Sequence, residues 1–243
     1  MDATTATFEK RTQISEHSIV SREEWLPLRQ ELLRKEKELT RLRDRLNAER
    51  RELPWVRVEK NYVFNAPGGR VSLKELFAGR SQLVVYHFMF GPDWKEGCPS
   101  CSFVSDHIDG ALPHLAARDV TMVMVSRAPL AKIEAFKQRM GWRFDWVSSY
   151  GGDFNADFRV SFTKDEMAQG KVNYNYVMQE FPSEEAPGIS VFYKDAAGDV
   201  LSYLFKLRAR PRATRRHLHD PRPGSQGPRR GQARIYDGMG PPP

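Results

Sequence analysis

Three apolar runs set the pattern of the chain. Leu83 to Phe90 (LVVYHFMF), broken only by His87, has the length and the β-branched and aromatic content of a buried strand. Val120 to Val125 (VTMVMV) reads as a second buried strand and Phe144 to Ser148 as a third. Helical patterns fill the intervals. One helix is predicted after Cys101, and Leu130, Ile133, Phe136, Lys137 and Met140 place another that ends at Gly141. A β-α-β-α-β order with crossovers of this length implies parallel strands in a sheet covered on both faces. Two hairpins flank this unit. Tyr62-Val-Phe, the turn Ala66-Pro-Gly-Gly69 and Val71-Ser-Leu form the first, and a helical turn over Leu73 to Phe77, closed by Gly79, follows it. Gly188 to Tyr193, the turn Asp195-Ala-Ala-Gly198 and Val200 to Phe205 form the second. From Tyr150 to Glu180 the periodicity fades, and this stretch is expected to be an insertion lying over the core.

Ahead of the α/β unit lies a different pattern. Residues 1–20 are polar and aperiodic and read as a mobile arm. Ser21 with Glu24 fits a capping box, and Trp25, Leu28, Leu32, Leu39, Leu42 and Leu46 recur at spacings of three and four with Lys35 in the one gap. This long amphipathic helix is stopped by Pro54. Its stripe is expected to lie on the chain's own domain; a homodimer joined through this helix as a short coiled coil is the alternative. The resulting divisions are an arm over 1–20, a helical extension over 21–53, an α/β domain over 54–205 and an Arg/Pro/Gly-rich tail over 206–243 that is expected to be disordered.

With 40% hydrophobic residues in 243, the chain can build a real core. It contains no apolar run of transmembrane length, and its first residues lack the apolar segment of a secretory signal, so a cytoplasmic protein without membrane partners is expected. The net charge of +7 suggests nucleic acid until its placement is considered. Residues 206–243, rich in Arg, Pro and Gly, carry +8, which leaves about −1 for residues 1–205. Nucleic-acid binding by the folded part is therefore not expected.

The candidate chemistry sits where the first buried strand ends. After the loop Gly91 to Gly97 come the only two cysteines, Cys98 and Cys101, at the start of a predicted helix. Cysteines three apart on a first turn lie about 5–6 Å apart at Cα, within disulfide reach. Backbone N–H groups and the helix dipole favour the anion of the first thiol. Cys98 is then the exposed nucleophile and Cys101 the resolving thiol, with Lys95 adding positive charge, Glu96 opposing it, and Pro99 at a helical position that needs no N–H donor. Two other readings stay open: half of a zinc site completed by residues such as His107 and His114, or two inert core cysteines. Ser102 excludes haem attachment through C-x-x-C-H. His87 is expected to be a satisfied core histidine, and Trp142 and Trp146 packing residues; Trp94, beside the cysteines, is the candidate substrate contact. No metal or cofactor is expected.

The segments SREEW, LPWVRVEKNYVF, YHFMFGPDWKEGCPSC, DGALPHLAARDVT, SRAPLAKIEAFKQRMGW and PGISVFY resemble a bacterial thioredoxin-like family described only as a domain of unknown function, from about Ser21 to about Leu204. The order of elements is similar to a thioredoxin fold of peroxiredoxin type. The resemblance implies an α/β thioredoxin-like mixed sheet flanked by helices, an antioxidant or thiol–disulfide activity, and a protein or small-molecule disulfide or thiol as partner. A thioredoxin-fold binding module without redox turnover is the alternative. Some residues depart from better-known relatives. Thioredoxins carry Trp directly before the first Cys, whereas Trp94 stands four residues ahead. Peroxiredoxins carry Thr or Ser where Lys95 stands, so disulfide exchange is expected ahead of peroxidase activity. The proline that thioredoxin folds set in cis beside the disulfide would be Pro187, or Gly188 takes its place. A peroxiredoxin-like helper arginine would be Arg127 or Arg159. The resemblance also implies a continuation containing Y-A-R-G-L and then G-T-Y and A-P-K-G-R-D-E, which residues 206–243 lack. Codons can be chosen so that the neighbouring frame spells these words in order, and a frameshift near Phe205 is the expectation, to be checked on the DNA.

Overall fold

The computed structural model describes residues 18–205; residues 1–17 of the expected arm over 1–20, and the tail with its expected frameshift, lie outside the described residues. Ten strands and six α-helices follow one another in this part. At the centre, β4 (Gln82–His87) pairs in parallel with β5 (Val120–Ser126), and β5 with β6 (Asp145–Ser148). Helices α2 (Pro99–Asp109) and α3 (Leu112–Ala116) make the first crossover, and α4 (Leu130–Met140), closed by Gly141 at φ +70°, makes the second. The hairpin of β9 (Gly188–Lys194) and β10 (Val200–Phe205) pairs antiparallel on the other side of β4, with His87 opposite Gly188. The order β10-β9-β4-β5, with α2 between the two parallel strands, is the thioredoxin-like arrangement expected from the sequence. It is widened at one edge by the hairpin of β2 (Val63–Ala66) and β3 (Gly69–Ser72) beside β6, and at the other by the short β1 (Val56–Arg57), which the sequence pattern did not reveal.

Side-chain alternation along β4 divides the interior into two cores. Leu83 and Val85 face one cluster with Val123, Val125, Val147 and Phe192; Tyr86, Phe88 and Phe90 face the other with Met124, Trp146, Ile133 and Cys101. The stretch expected to lie over the core is part of it. Phe154, on α5 (Phe154–Asp157), together with Phe158 and Val160, joins the first cluster. Beyond them, α6 (Lys164–Ala168) and the hairpin of β7 (Val172–Tyr174) and β8 (Val177–Gln179) cover a satellite cluster of Phe162, Val172, Tyr174 and Ala186.

Helix α1 (Arg22–Glu52) departs from expectation. Its capping box forms as read, Ser21 with Glu24, but none of its residues is buried. The stripe from Trp25 to Leu46 does not lie on the α/β domain; every apolar member is at least 40% exposed. The periodicity records that the face requires a cover, not which surface supplies it. Among the described residues, no helix is long and apolar enough to cross a membrane.

Candidate functional site

Phe88 to Cys98 is held by backbone pairing although it leaves the strand. Phe88 N–H donates to Val125 O (2.9 Å), Ala128 N–H to Phe90 O (2.8 Å) and Cys98 N–H to Met89 O (3.0 Å), so the loop folds back on the end of the sheet. Ser126 Oγ donates to Phe88 O at 2.7 Å and accepts from Trp146 Nε1 at 3.0 Å. Gly97 is fixed by contact: a Cβ there would stand 2.7 Å from Phe88 Cε1 and 3.3 Å from Phe136 Cζ. At Gly91 a Cβ would meet Trp94 Nε1 at 2.9 Å, so the half-buried Trp94 ring lies across the start of the loop. The far end of α2 is anchored as well. The buried Asp109 accepts from Arg143 N–H (2.7 Å) and Phe144 N–H (3.2 Å), and Trp142 Nε1 donates to Asp106 (2.8 Å).

Cys98 is the N-cap of α2 with Pro99 at its first position, and Cys101 lies one turn in. Both thiols are free. Cys98 is partly exposed; Cys101 is buried among Tyr86, Phe88 and Met124. An N-cap side chain faces the unpaired N–H groups of the first turn, the position at which a helix best supports an anion. The Cys98 thiol is held down to about 6. Its hydrogen bond with the Cys101 thiol is the largest cause, and the Cys101 and Ser100 N–H groups and the Ser100 hydroxyl add to it against burial. Cys101 moves the opposite way. Its bond to Cys98, burial and the neighbouring Cys98 charge push it well above the ordinary thiol value, while the Tyr86 hydroxyl and Met89 backbone pull it back. The two shifts oppose each other, Cys98 toward the thiolate and Cys101 toward the neutral thiol.

The remaining candidates divide. Pro99 and Trp94 adjoin the cysteines, and Trp94 packs on the same cluster as Cys98. Lys95 lines a shallow cleft of about 270 Å³ with Lys132, Ala135, Phe136 and Arg139. Glu96, expected to oppose it, bonds Arg139 at 2.8 Å. Pro187 precedes β9 close to the position expected, but its peptide bond is trans, for no cis bond occurs among the described residues; its carbonyl accepts from the Tyr174 hydroxyl at 2.8 Å. Arg127 is committed elsewhere: its guanidinium binds Glu185 at 2.6 Å, and Glu185 also accepts from Ser161 Oγ at 2.6 Å. Arg159 pairs with Glu166 at 3.3 Å. His87 is buried, its Nε2 2.8 Å from Ser190 Oγ and its ring stacked near Phe154 and Phe158, the core role expected. Trp142 and Trp146 are core residues. His107 Nδ1 meets Phe103 O at 2.7 Å, and no cluster of three or more His, Cys, Asp or Glu suited to a metal occurs among the described residues. Tyr86 and Ser100 were missed. The signal for Tyr86 was its place on the Cys101 face of β4, and for Ser100 its position between the two cysteines.

Residues 14–217 match the model of a family described as bacterial protein of unknown function (DUF899). No curated protein matches the chain. Solved structures similar to it include Xylella fastidiosa PrxQ (16% identity, TM-score 0.40, covering 62% of this chain and 85% of that one). A protein described as thiol:disulfide interchange protein DsbE, from Chlorobium tepidum, gives 14% identity and TM-score 0.41 over 66% of this chain and 89% of that one. Peroxidoxin BcpB from Mycobacterium tuberculosis gives 15% identity and TM-score 0.37 over 63% and 86%.

Proposed function

The chain belongs to the bacterial DUF899 family, and from that premise and the state of its two thiols we propose that it is a thiol–disulfide oxidoreductase. The observation that carries this is the placement of two free cysteines on the first turn of α2, Cys98 partly exposed at the N-cap and Cys101 buried one turn on, with their pKa values displaced in opposite directions. The Cys98 thiolate attacks one sulfur of a substrate disulfide, forming a mixed disulfide and expelling the other sulfur as thiolate. The Cys98 charge that suppressed Cys101 ionisation is then gone. Cys101 gives up its proton to the thiolate already expelled, and its own thiolate, with the Tyr86 hydroxyl as donor, attacks Cys98 Sγ. The second substrate thiolate leaves, the substrate has gained two electrons, and a Cys98–Cys101 disulfide remains for an external dithiol to reduce. Pro99 shapes the turn between the two sulfurs, and Trp94 offers an apolar edge to the substrate.

Reduced protein mixed with 2-hydroxyethyl disulfide tests the reading. The intact chain is expected to release two equivalents of mercaptoethanol, and Cys101→Ser to stop after one with the adduct on Cys98. Failure of both to exchange at pH 7 would refute it and favour the second reading, a binding or dimerisation module, for which the exposed face of α1 is the specific observation.

A further inference from the structure

The exposed stripe of α1 has an internal asymmetry that selects its cover. With Trp25, Leu32, Leu39 and Leu46 at a positions, the d positions are Leu28, Lys35, Leu42 and Glu49. Two copies in parallel would stack Lys35 on Lys35 and Glu49 on Glu49 inside the seam. Along its flanks like charges would meet at Glu31 with Glu36 and at Arg45 with Arg50, and opposite charges at Glu24 with Arg29 and at Glu38 with Arg43. Two antiparallel copies avoid both core clashes. Trp25 then faces the partner's Leu42, Leu28 faces the partner's Leu39, and Lys35 lies against the partner's Leu32, where its stem covers apolar surface and its ammonium reaches water.

The flanking charges of the second arrangement are balanced in the same way, two kinds of pair attracting and two repelling, so it is the seam that selects it. Arg29 meets the partner's Glu36 and Glu24 meets the partner's Arg45, each pair occurring twice across the two-fold axis. Arg29 and Glu36 already bond along one helix at 2.9 Å, so the crossing pairs close a four-charge cluster. Like charges meet at Glu31 with the partner's Glu38 and at Arg22 with the partner's Arg43. Within each chain Arg34 binds both carboxylates, Glu31 at 2.8 Å and Glu38 at 2.6 Å, which offsets part of that repulsion. We propose that α1 joins two copies of this chain as an antiparallel coiled coil, which sets the two α/β domains at opposite ends of the seam.

Sedimentation equilibrium of the full chain is the first test, with twice the 28.0 kDa chain mass expected. Leu32→Glu with Leu39→Glu should return monomers while leaving the Cys98 titration unmoved. Lys35→Leu should tighten the dimer about tenfold or more, since it removes a charge from the seam. Direction is read in a Cys98→Ser, Cys101→Ser background: chains carrying Leu28→Cys and chains carrying Leu39→Cys should crosslink when mixed, and neither alone. A monomeric full chain, as when another segment of the same chain covers the stripe, overturns the proposal. So does a dimer that survives Leu32→Glu with Leu39→Glu, or crosslinking by Leu28→Cys alone.

Discussion

A thiol with a pKa of about 6 is about nine-tenths thiolate at pH 7, where an ordinary cysteine is a few per cent ionised. The sign of the shift fixes the pH profile. Cys98 should alkylate with iodoacetamide along a curve whose midpoint lies near pH 6, and Cys101 should stay inert until well above pH 9. Because the Cys101 thiol is the largest support of the Cys98 anion, Cys101→Ala should move the Cys98 midpoint upward, toward the ordinary range, and Ser100→Ala should move it the same way by less. Ultraviolet absorbance of the thiolate follows both. The spacing of Cys98 and Cys101 was legible in the sequence, because C-x-x-C after a buried strand leaves few geometries. The donors that set the two pKa values were not. Tyr86 reads as one more apolar member of its strand until the helix is laid over it, and Lys95, which does read as a charge beside the site, instead lines the cleft with Lys132 and Arg139.

Between the sheet and α2 the loop has no room for a single carbon at Gly97. Gly97→Ala drives its Cβ to 2.7 Å from the Phe88 ring, which is wedged against Trp146 and Trp142. It should cost about 1–3 kcal/mol in a denaturant titration and displace Cys98 from the N-cap, raising its alkylation midpoint. The Arg127–Glu185 pair ties the end of β5 to the segment before β9. Burial raises the Glu185 carboxyl, and Ser161 and Arg127 hold it down against that. Arg127→Met leaves the carboxylate buried without its cation, and should cost about 2–3 kcal/mol at pH 7, below the full buried-pair figure because Arg127 is partly exposed. With the folded-state pKa of Glu185 raised further in that variant, its stability is retained at low pH and lost as pH rises through that value. The deficit should therefore shrink between pH 7 and pH 4.5 in parallel urea titrations. Neither feature was legible beforehand. Glu185 sits in an aperiodic stretch whose short helices and hairpin are too brief for a period to emerge, and Arg127 drew notice for a chemistry that Glu185 pre-empts.

At the scale of the molecule, the apolar runs and the two cysteines anticipated the sheet, because parallel strands buried on both faces write continuous apolar segments. The α1 stripe carried a different kind of information. It announced a buried face, and the fold leaves that face open; the proposed second copy rests on the charges that interrupt the stripe, Lys35 and Glu49, rather than on its apolar period. The proposed function rests on one claim: a disulfide forms and breaks between Cys98 and Cys101 as a two-electron couple. The most direct measurement equilibrates the protein in graded thiol–disulfide buffers, quenches with an alkylating agent and weighs the products. A single reversible transition is predicted between chains with both cysteines alkylated and chains with neither, the latter carrying an internal Cys98–Cys101 link in peptide maps. Two thiols that remain alkylatable in every buffer, or oxidation only to disulfides between chains, would contradict it.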